Sequence, residues 1–358
     1  MKDNKGTTGH SRLLELDALR GAAALFVVLF HFTKGFTPAE LGFNNYLLHF
    51  GATGVELFFI ISGFVIFMSI TKLASGKEFI INRIARLYPT YWATVVFTFL
   101  VIVFTQMLLF HKGVNTTPLA QFLVNLSMFQ YYFNVKDLDG PYWTLIIEII
   151  FYIYIYILFI SKTIKYIEKI SFALLASTVL IYAGRSVFAN YNLASHIFGL
   201  IPLLPYFPLF YSGIIFYKMF TEKETLTHYL VLAVCFCAQL YLFTTRGLVN
   251  VNIYEYAVIL LTYYGLFVLF IKNKIGFIVT KQTVFLGYIS YALYVVHNYV
   301  SASVVLPALV RRLHVNFILA GIIQLAFVIA LAYLITKYID VPNRNKFRNY
   351  LRKKFIKS

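Results

Sequence analysis

The chain has 358 residues, of which 60% are hydrophobic and only 13% charged, and its mean hydropathy is +0.75. A soluble protein of this length carries about 25% charged residues to cover its surface. That excludes an ordinary soluble globule, and the wealth of large apolar residues with only two cysteines excludes a disordered tail, a collagen-like repeat and a disulfide-stapled domain.

Apolar runs of this length predict spanning helices rather than outer-membrane strands, which alternate polar and apolar residues. In chain order the windows are 14–34, 50–71, 88–110, 142–160, 171–189, 196–217, 229–245, 254–271, 285–309 and 315–338. The expected fold is therefore an all-α polytopic membrane bundle of about ten transmembrane helices. Its expected parts are an N-terminal segment (1–12), a transmembrane domain (13–340) and a basic tail (341–358). Cys235 and Cys237, two apart on a helix, face different ways and read as packing residues.

The net charge of +17 is distributed unevenly. Of the 31 basic residues, 23 fall on the face shared by both termini and 7 on the other: Lys34, Lys112, Lys136, Arg185, Arg246, Arg311 and Arg312. Arg20 lies within the first window. The bias places both termini in the cytoplasm and assigns the charge to orientation and anionic headgroups, with no nucleic-acid partner. The first window is too long, and too charged at Arg20, for a cleaved signal peptide, so it is expected to remain as a helix of an inner or plasma membrane protein.

Ionisable residues inside a bilayer are costly and mark function. In the first window Asp17 and Arg20 are three apart and pair on one helix face. His31, eleven residues after Arg20, shares that face about 16 Å along the axis. The plainer alternative has Arg20 snorkelling to headgroups and His31 marking an interface. The second window opens with Glu56, followed by Ser62 and Gly63, which favour close helix packing. Arg83 and Arg86, three apart at the mouth of the third window, suit a polyanion because guanidinium groups bind phosphate with two hydrogen bonds; leaflet anchoring is the alternative. In the fourth window Trp143 precedes Glu148, which lies nearly two turns in. A carboxylate near His31 makes a general-base arrangement, and either Glu148 or Glu56 is placed to supply it. The ninth window adds Tyr288, Ser290, Tyr291, Tyr294 and His297, the last more commonly a packed core histidine. No metal is expected.

These motifs resemble those of the acyltransferase 3 family of integral membrane acyltransferases. The likeness rests on Leu16-Asp17-Ala18-Leu19-Arg20-Gly21 with His31, on Arg83 and Arg86, and on Glu56 to Phe64. It extends through Trp143-Thr144-Leu145 with Glu148 and Phe151-Tyr152, Leu286 to His297, and Tyr338 to Pro342, where the family's usual Glu is replaced by Asp340. It covers residues 12–345. The resemblance implies an acyl-coenzyme A donor, with acetyl as the expected group, and a hydroxyl of an extracytoplasmic or lipid-linked glycan as acceptor. It implies that Arg83, Arg86 and Arg20 hold the donor, that His31 with Glu148 or Glu56 performs catalysis, and that Asp17, Ser62, Gly63, Trp143, Tyr288 and His297 support the site. Some relatives append a soluble esterase-like domain. This sequence ends in a basic tail, so transfer is expected to be completed by the membrane domain alone or by a separate partner. The competing class is a glycan exporter or proton-coupled transporter, which the lack of a duplicated charged motif disfavours.

Overall fold

A computed structural model describes residues 13–44, 48–109, 116–184, 192–243 and 251–356. Among them all regular structure is helical, as continuous apolar segments require in lipid, where each must satisfy its own backbone polar groups. The elements are α1 (Leu14–Thr33), α2 (Pro38–Leu41), α3 (Gly54–Ile70), α4 (Gly76–Leu109), α5 (Thr116–Asn125), α6 (Trp143–Ile160) and α7 (Ile167–Ala183). They continue as α8 (Asn192–Leu200), α9 (Phe207–Thr221), α10 (Leu226–Phe243), α11 (Ile253–Ile271), α12 (Lys281–His297), α13 (Phe317–Ile335) and α14 (Val341–Phe355). Eight of the described helical stretches are long and apolar enough to cross a membrane. The chain is a multi-pass, all-α membrane bundle.

Two predicted windows come out differently. The window at 171–189 falls on α7, which has 17 residues. The window at 196–217 is broken between α8 and α9 because Pro202, Pro205 and Pro208 lie in or beside the gap. A proline lacks the N–H and clashes with the preceding turn, so no helix runs through. The 15 residues of α9 span about 22 Å, short of the roughly 30 Å hydrocarbon core. α9 is an interior helix with 12 of its residues buried, as a segment apolar on every side must be, and it runs alongside α3, with Tyr206 against Phe59 and Phe220 against Phe64. α4 departs the other way. It starts at Gly76, carries Pro89 internally and runs for 34 residues, so Arg83 and Arg86 belong to the same helix as the span that follows.

Two glycine crossings set the frame. A Cβ on Gly63 of α3 would stand 2.1 Å from the Phe210 carbonyl of α9, and one on Gly213 of α9 would stand 2.1 Å from the Ile60 carbonyl. The same close approach joins α1 to α12, where a Cβ on Gly287 would lie 2.1 Å from the Asp17 carbonyl. Helices in lipid associate by such van der Waals contact, which only small residues allow. α1 and α12 run parallel: Gly21 meets Gly287 and, ten residues on in both, His31 meets His297.

The larger core gathers α3, α6, α9, α10 and α11, and a second core joins α1, α12 and α13. α1 contributes Leu16, Leu19 and Val27 to the first and Ala24, Val28 and Phe32 to the second, so its polar residues lie at the seam. α12 passes into π-helical turns at Asn298. α13 continues through another π-helical turn, Thr336–Asp340, into α14, which packs on α4 through Arg352 with Glu78 and Phe347 with Trp92. Lys2, Lys5, Arg12, Lys112, Arg185, Arg246 and Lys357 lie outside the described residues, as does the segment 1–12.

Candidate active site

At one end of the seam α1, α3, α4, α6 and α12 enclose a narrow cavity of about 80 Å³. Arg20, Arg83, Arg86, Ser62 and Glu148 line it together, although they come from four helices. Arg20 keeps Asp17 at 3.5 Å. Arg83 donates from Nη2 to Ser69 Oγ at 2.8 Å and lies over the rings of Phe79 and Tyr152, while its buried Nε has no hydrogen-bond partner. A buried guanidinium with an unmet N–H is poised for an anion, because leaving such a donor unpaired costs about 1–3 kcal/mol or more. Glu148 Oε1 accepts from Ser62 Oγ at 3.1 Å and from Tyr152 OH at 2.5 Å.

Arg20, Val65, Arg86, Ser290 and Tyr291 also line a wider vestibule of about 500 Å³. Lys72, Tyr288, Asp340 and Arg344 complete its wall together with Asp17. Asp340 takes two hydrogen bonds from Arg344, at 3.2 Å and 2.5 Å. The i,i+4 spacing makes that pair legible in sequence, yet Arg344 reads there only as part of a basic tail. The polar end is thus a mouth with cations on α1, α4 and α14, tapering to a slot.

The histidines lie further along α1 and α12. His31 Nδ1 is 2.9 Å from the Val27 carbonyl and 3.1 Å from His297 Nε2. His297 is fully buried. Between them and the cavity stand Phe58, Thr144 and Tyr294, which form its inner wall; Tyr294 packs on Phe58 at 5.4 Å and meets Thr144 Oγ1 at 3.0 Å.

The expected carboxylate partner of His31 is placed elsewhere. Thr144 is level with Tyr294, His297 is one turn beyond Tyr294, and Glu148 is one turn the opposite way on α6. The two residues are therefore about 10 Å apart along the bundle axis, with Glu148 among the arginines. Glu56 is buried and turns toward α11, where Tyr256 OH lies 3.5 Å away. Among the described residues the hydrogen-bond partners of His31 are thus Val27 and His297, not a carboxylate. Gly63 serves the α3–α9 crossing, and Trp143 is partly exposed against Tyr206 at 5.6 Å.

Asp139 is a residue that sequence patterns read only as turn chemistry. In the loop before α6 it is buried and accepts from Asn298 Nδ2 at 2.9 Å and Tyr299 N–H at 3.0 Å, holding the two residues after His297. Burial pushes its carboxyl up to about 7, against the pull of these hydrogen bonds. At the same end Arg311 pairs with exposed Glu40 at 2.7 Å and, by that hydrogen bond, holds the Glu40 carboxyl down at about 2.

The acyltransferase domain family matches residues 13–337. Over 295 residues the chain is 28% identical to "Putative acetyltransferase ORF330" of Acidianus two-tailed virus, covering 78% of this chain and 80% of that protein. Over 171 residues it is 26% identical to nodulation protein 10 of Rhizobium leguminosarum bv. viciae, covering 42% of this chain and 44% of that protein. No solved structure matches. With one family matched across nearly the whole helical bundle, the chain belongs to the acyltransferase 3 family and is a multi-pass membrane acyltransferase.

Proposed function

We propose that this acyltransferase moves an acetyl group from cytoplasmic acetyl-coenzyme A to a hydroxyl of an extracytoplasmic or lipid-linked glycan, in a plasma or inner membrane. The observation that carries this reading is the taper from a cationic vestibule of about 500 Å³ into a slot of about 80 Å³ lined by Arg20, Arg83 and Arg86. A nucleotide diphosphate is broad and multiply anionic, and a pantetheine arm is thin and uncharged, so the two spaces divide the donor between them. The name of the viral relative supports acetyl as the group. The charge count supports the arginine end, and both termini with it, as cytoplasmic.

In this reading the diphosphate reaches the junction of the two spaces, where Arg86, which lines both, and Arg83, which lines the slot, grip it, while Lys72 and Arg344 meet the outer phosphate. Glu148 and Asp17 hold the guanidinium groups apart and in place. The way onward is closed by Phe58, Thr144 and Tyr294, so these side chains swing aside when the thioester advances. His31 takes the proton of the acceptor hydroxyl on Nε2, the oxygen attacks the thioester carbonyl, and collapse of the tetrahedral adduct expels the thiolate. His31 returns the proton to that sulfur, leaving an ester and free coenzyme A. General-base assistance of this kind is worth about 10²–10⁴ in rate. A bulky anionic donor then never crosses the bilayer, since only its acyl end has to reach the histidine.

The test is purified protein in lipid nanodiscs given labelled acetyl-coenzyme A and a lipid-linked glycan. The expected outcome is labelled ester with equimolar free thiol. Glycan movement between leaflets with no ester formed contradicts the proposal and favours the transporter reading.

A further inference from the structure

His297 reads in the sequence as a packed core histidine, and its surroundings assign it a task. Its Nδ1 lies 3.1 Å from the Leu293 carbonyl and 2.8 Å from the Tyr294 carbonyl. Carbonyl oxygens only accept, so Nδ1 carries a hydrogen and donates it. The other nitrogen of a neutral imidazole is then a bare acceptor. That nitrogen, Nε2, faces His31 Nδ1 at 3.1 Å.

His31 Nδ1 therefore has two acceptors before it, His297 Nε2 and the Val27 carbonyl at 2.9 Å. A hydrogen on Nδ1 satisfies both. A bare Nδ1 would set its lone pair against two others. We propose that His297 is a positioning residue that fixes His31 in the tautomer with its hydrogen on Nδ1, leaving Nε2 free as the base. This rests on the reading of His31 as the base given above.

The arrangement does for His31 what a buried carboxylate does for the histidine of a Ser-His-Asp triad, which is to hold the ring and its tautomer and to stabilise the imidazolium that forms. When His31 gains a proton on Nε2, its Nδ1–H becomes a charged donor and its bond to His297 strengthens. An imidazole achieves this without a permanent charge in the apolar layer, where an ionised carboxylate is expensive. The chain after His297 is tied down as well. Asp139 clamps Asn298 and the Tyr299 N–H, where α12 turns π-helical, a feature frequent at functional sites. The ring of His297 is thus held by carbonyls of its own helix, and the two residues that follow it by the loop before α6.

The test is nitrogen NMR of the full-length protein, ¹⁵N-labelled at histidine, in lipid bilayers, with peaks assigned by loss in His31→Gln and His297→Leu. Expected are a protonated Nδ1 and a bare Nε2 on both rings, with a nitrogen–nitrogen correlation between His31 Nδ1 and His297 Nε2 that vanishes in His297→Leu. That variant should lose about 10²-fold in kcat with both KM values unchanged. His297→Gln, whose Oε1 can accept the same N–H, should recover most of the loss. A bare Nδ1 on His31, a His297→Leu enzyme as fast as wild type, or a Gln variant as slow as the Leu variant overturns the proposal. The spectrum is read on resting protein, so acyl transfer surviving in His31→Ala would remove the base assignment without touching the ring pairing.

Discussion

The hydroxyls of Tyr294 and Thr144 meet at 3.0 Å in the wall of packed side chains between the arginine cavity and the histidine pair. Thr144 also donates to the Pro141 carbonyl, so it keeps a partner when the tyrosine hydroxyl is removed. Tyr294→Phe should cost about 1 kcal/mol of stability and leave turnover within tenfold of wild type. Tyr294→Ala, which deletes the ring against Phe58, opens a route for water and should raise release of free thiol from acetyl-coenzyme A without acceptor. Thiol titration checks both. Unchanged hydrolysis in Tyr294→Ala would mean that the barrier lies elsewhere.

Donor affinity should depend on the paired arginines of α4. Removing a charged hydrogen bond costs about 1.5–3 kcal/mol, so Arg83→Gln and Arg86→Gln should each weaken coenzyme A binding roughly 10- to 100-fold. Arg83→Lys should not rescue fully, because an ammonium cannot both hold Ser69 and present a second planar N–H. Calorimetry in detergent reads this directly, and wild-type affinity in both Gln variants would leave these residues as membrane anchors.

The α3–α9 crossing predicts a stability effect with little chemistry. A methyl on Gly63 or Gly213 would have to fit within 2.1 Å of a carbonyl oxygen of the facing helix, so the helices must part. Gly213→Val should lower the melting temperature well beyond Gly265→Ala, where an added Cβ meets nothing within 4 Å. Thermal unfolding followed by tryptophan emission is the measurement, and equal melting temperatures would contradict the close packing.

Asp139 predicts a pH effect outside the bilayer. Its carboxyl is pushed up to about 7 in the fold, first by burial and also by nearby Asp137, against about 3.9 in an unfolded chain. A group whose folded value is raised stabilises fully below its unfolded value and loses that contribution as pH rises through the folded one. Stability should therefore fall between about pH 4 and 7 in wild type, and this segment of the profile should flatten in Asp139→Asn, which keeps the size and an acceptor for Tyr299. Melting curves from pH 4 to 8 decide it, and identical profiles would remove the buried carboxylate from the account.

Much of this was legible in the chain because hydrophobic runs and intramembrane charges are local signals. The apolar windows, Arg20 with Asp17, and Arg83 with Arg86 at one mouth all follow from spacing alone. The break between α8 and α9 was also written locally, in three prolines, but the apolar run hid it. What spacing could not supply is which face meets which helix. His31 and Glu148 look equally deep when each helix is measured from its own end, yet α6 places Glu148 with the arginines and α12 brings His297 to His31. The pairing of residues 266 apart in sequence, and the folding-in of Asp139 from a segment read as turn, are tertiary facts with no local trace; the pairing of Arg344 with Asp340 is written in their spacing, its place in the vestibule wall is not.

The central claim is that His31 is the base at the far end of a donor slot that begins at the arginines. It is tested most directly by acetyl transfer from labelled acetyl-coenzyme A in nanodiscs containing wild-type or His31→Ala protein, with donor affinity measured on the same samples. A loss of at least 10²-fold in ester formation with coenzyme A bound as tightly as before is the predicted result. Undiminished transfer by His31→Ala would contradict it.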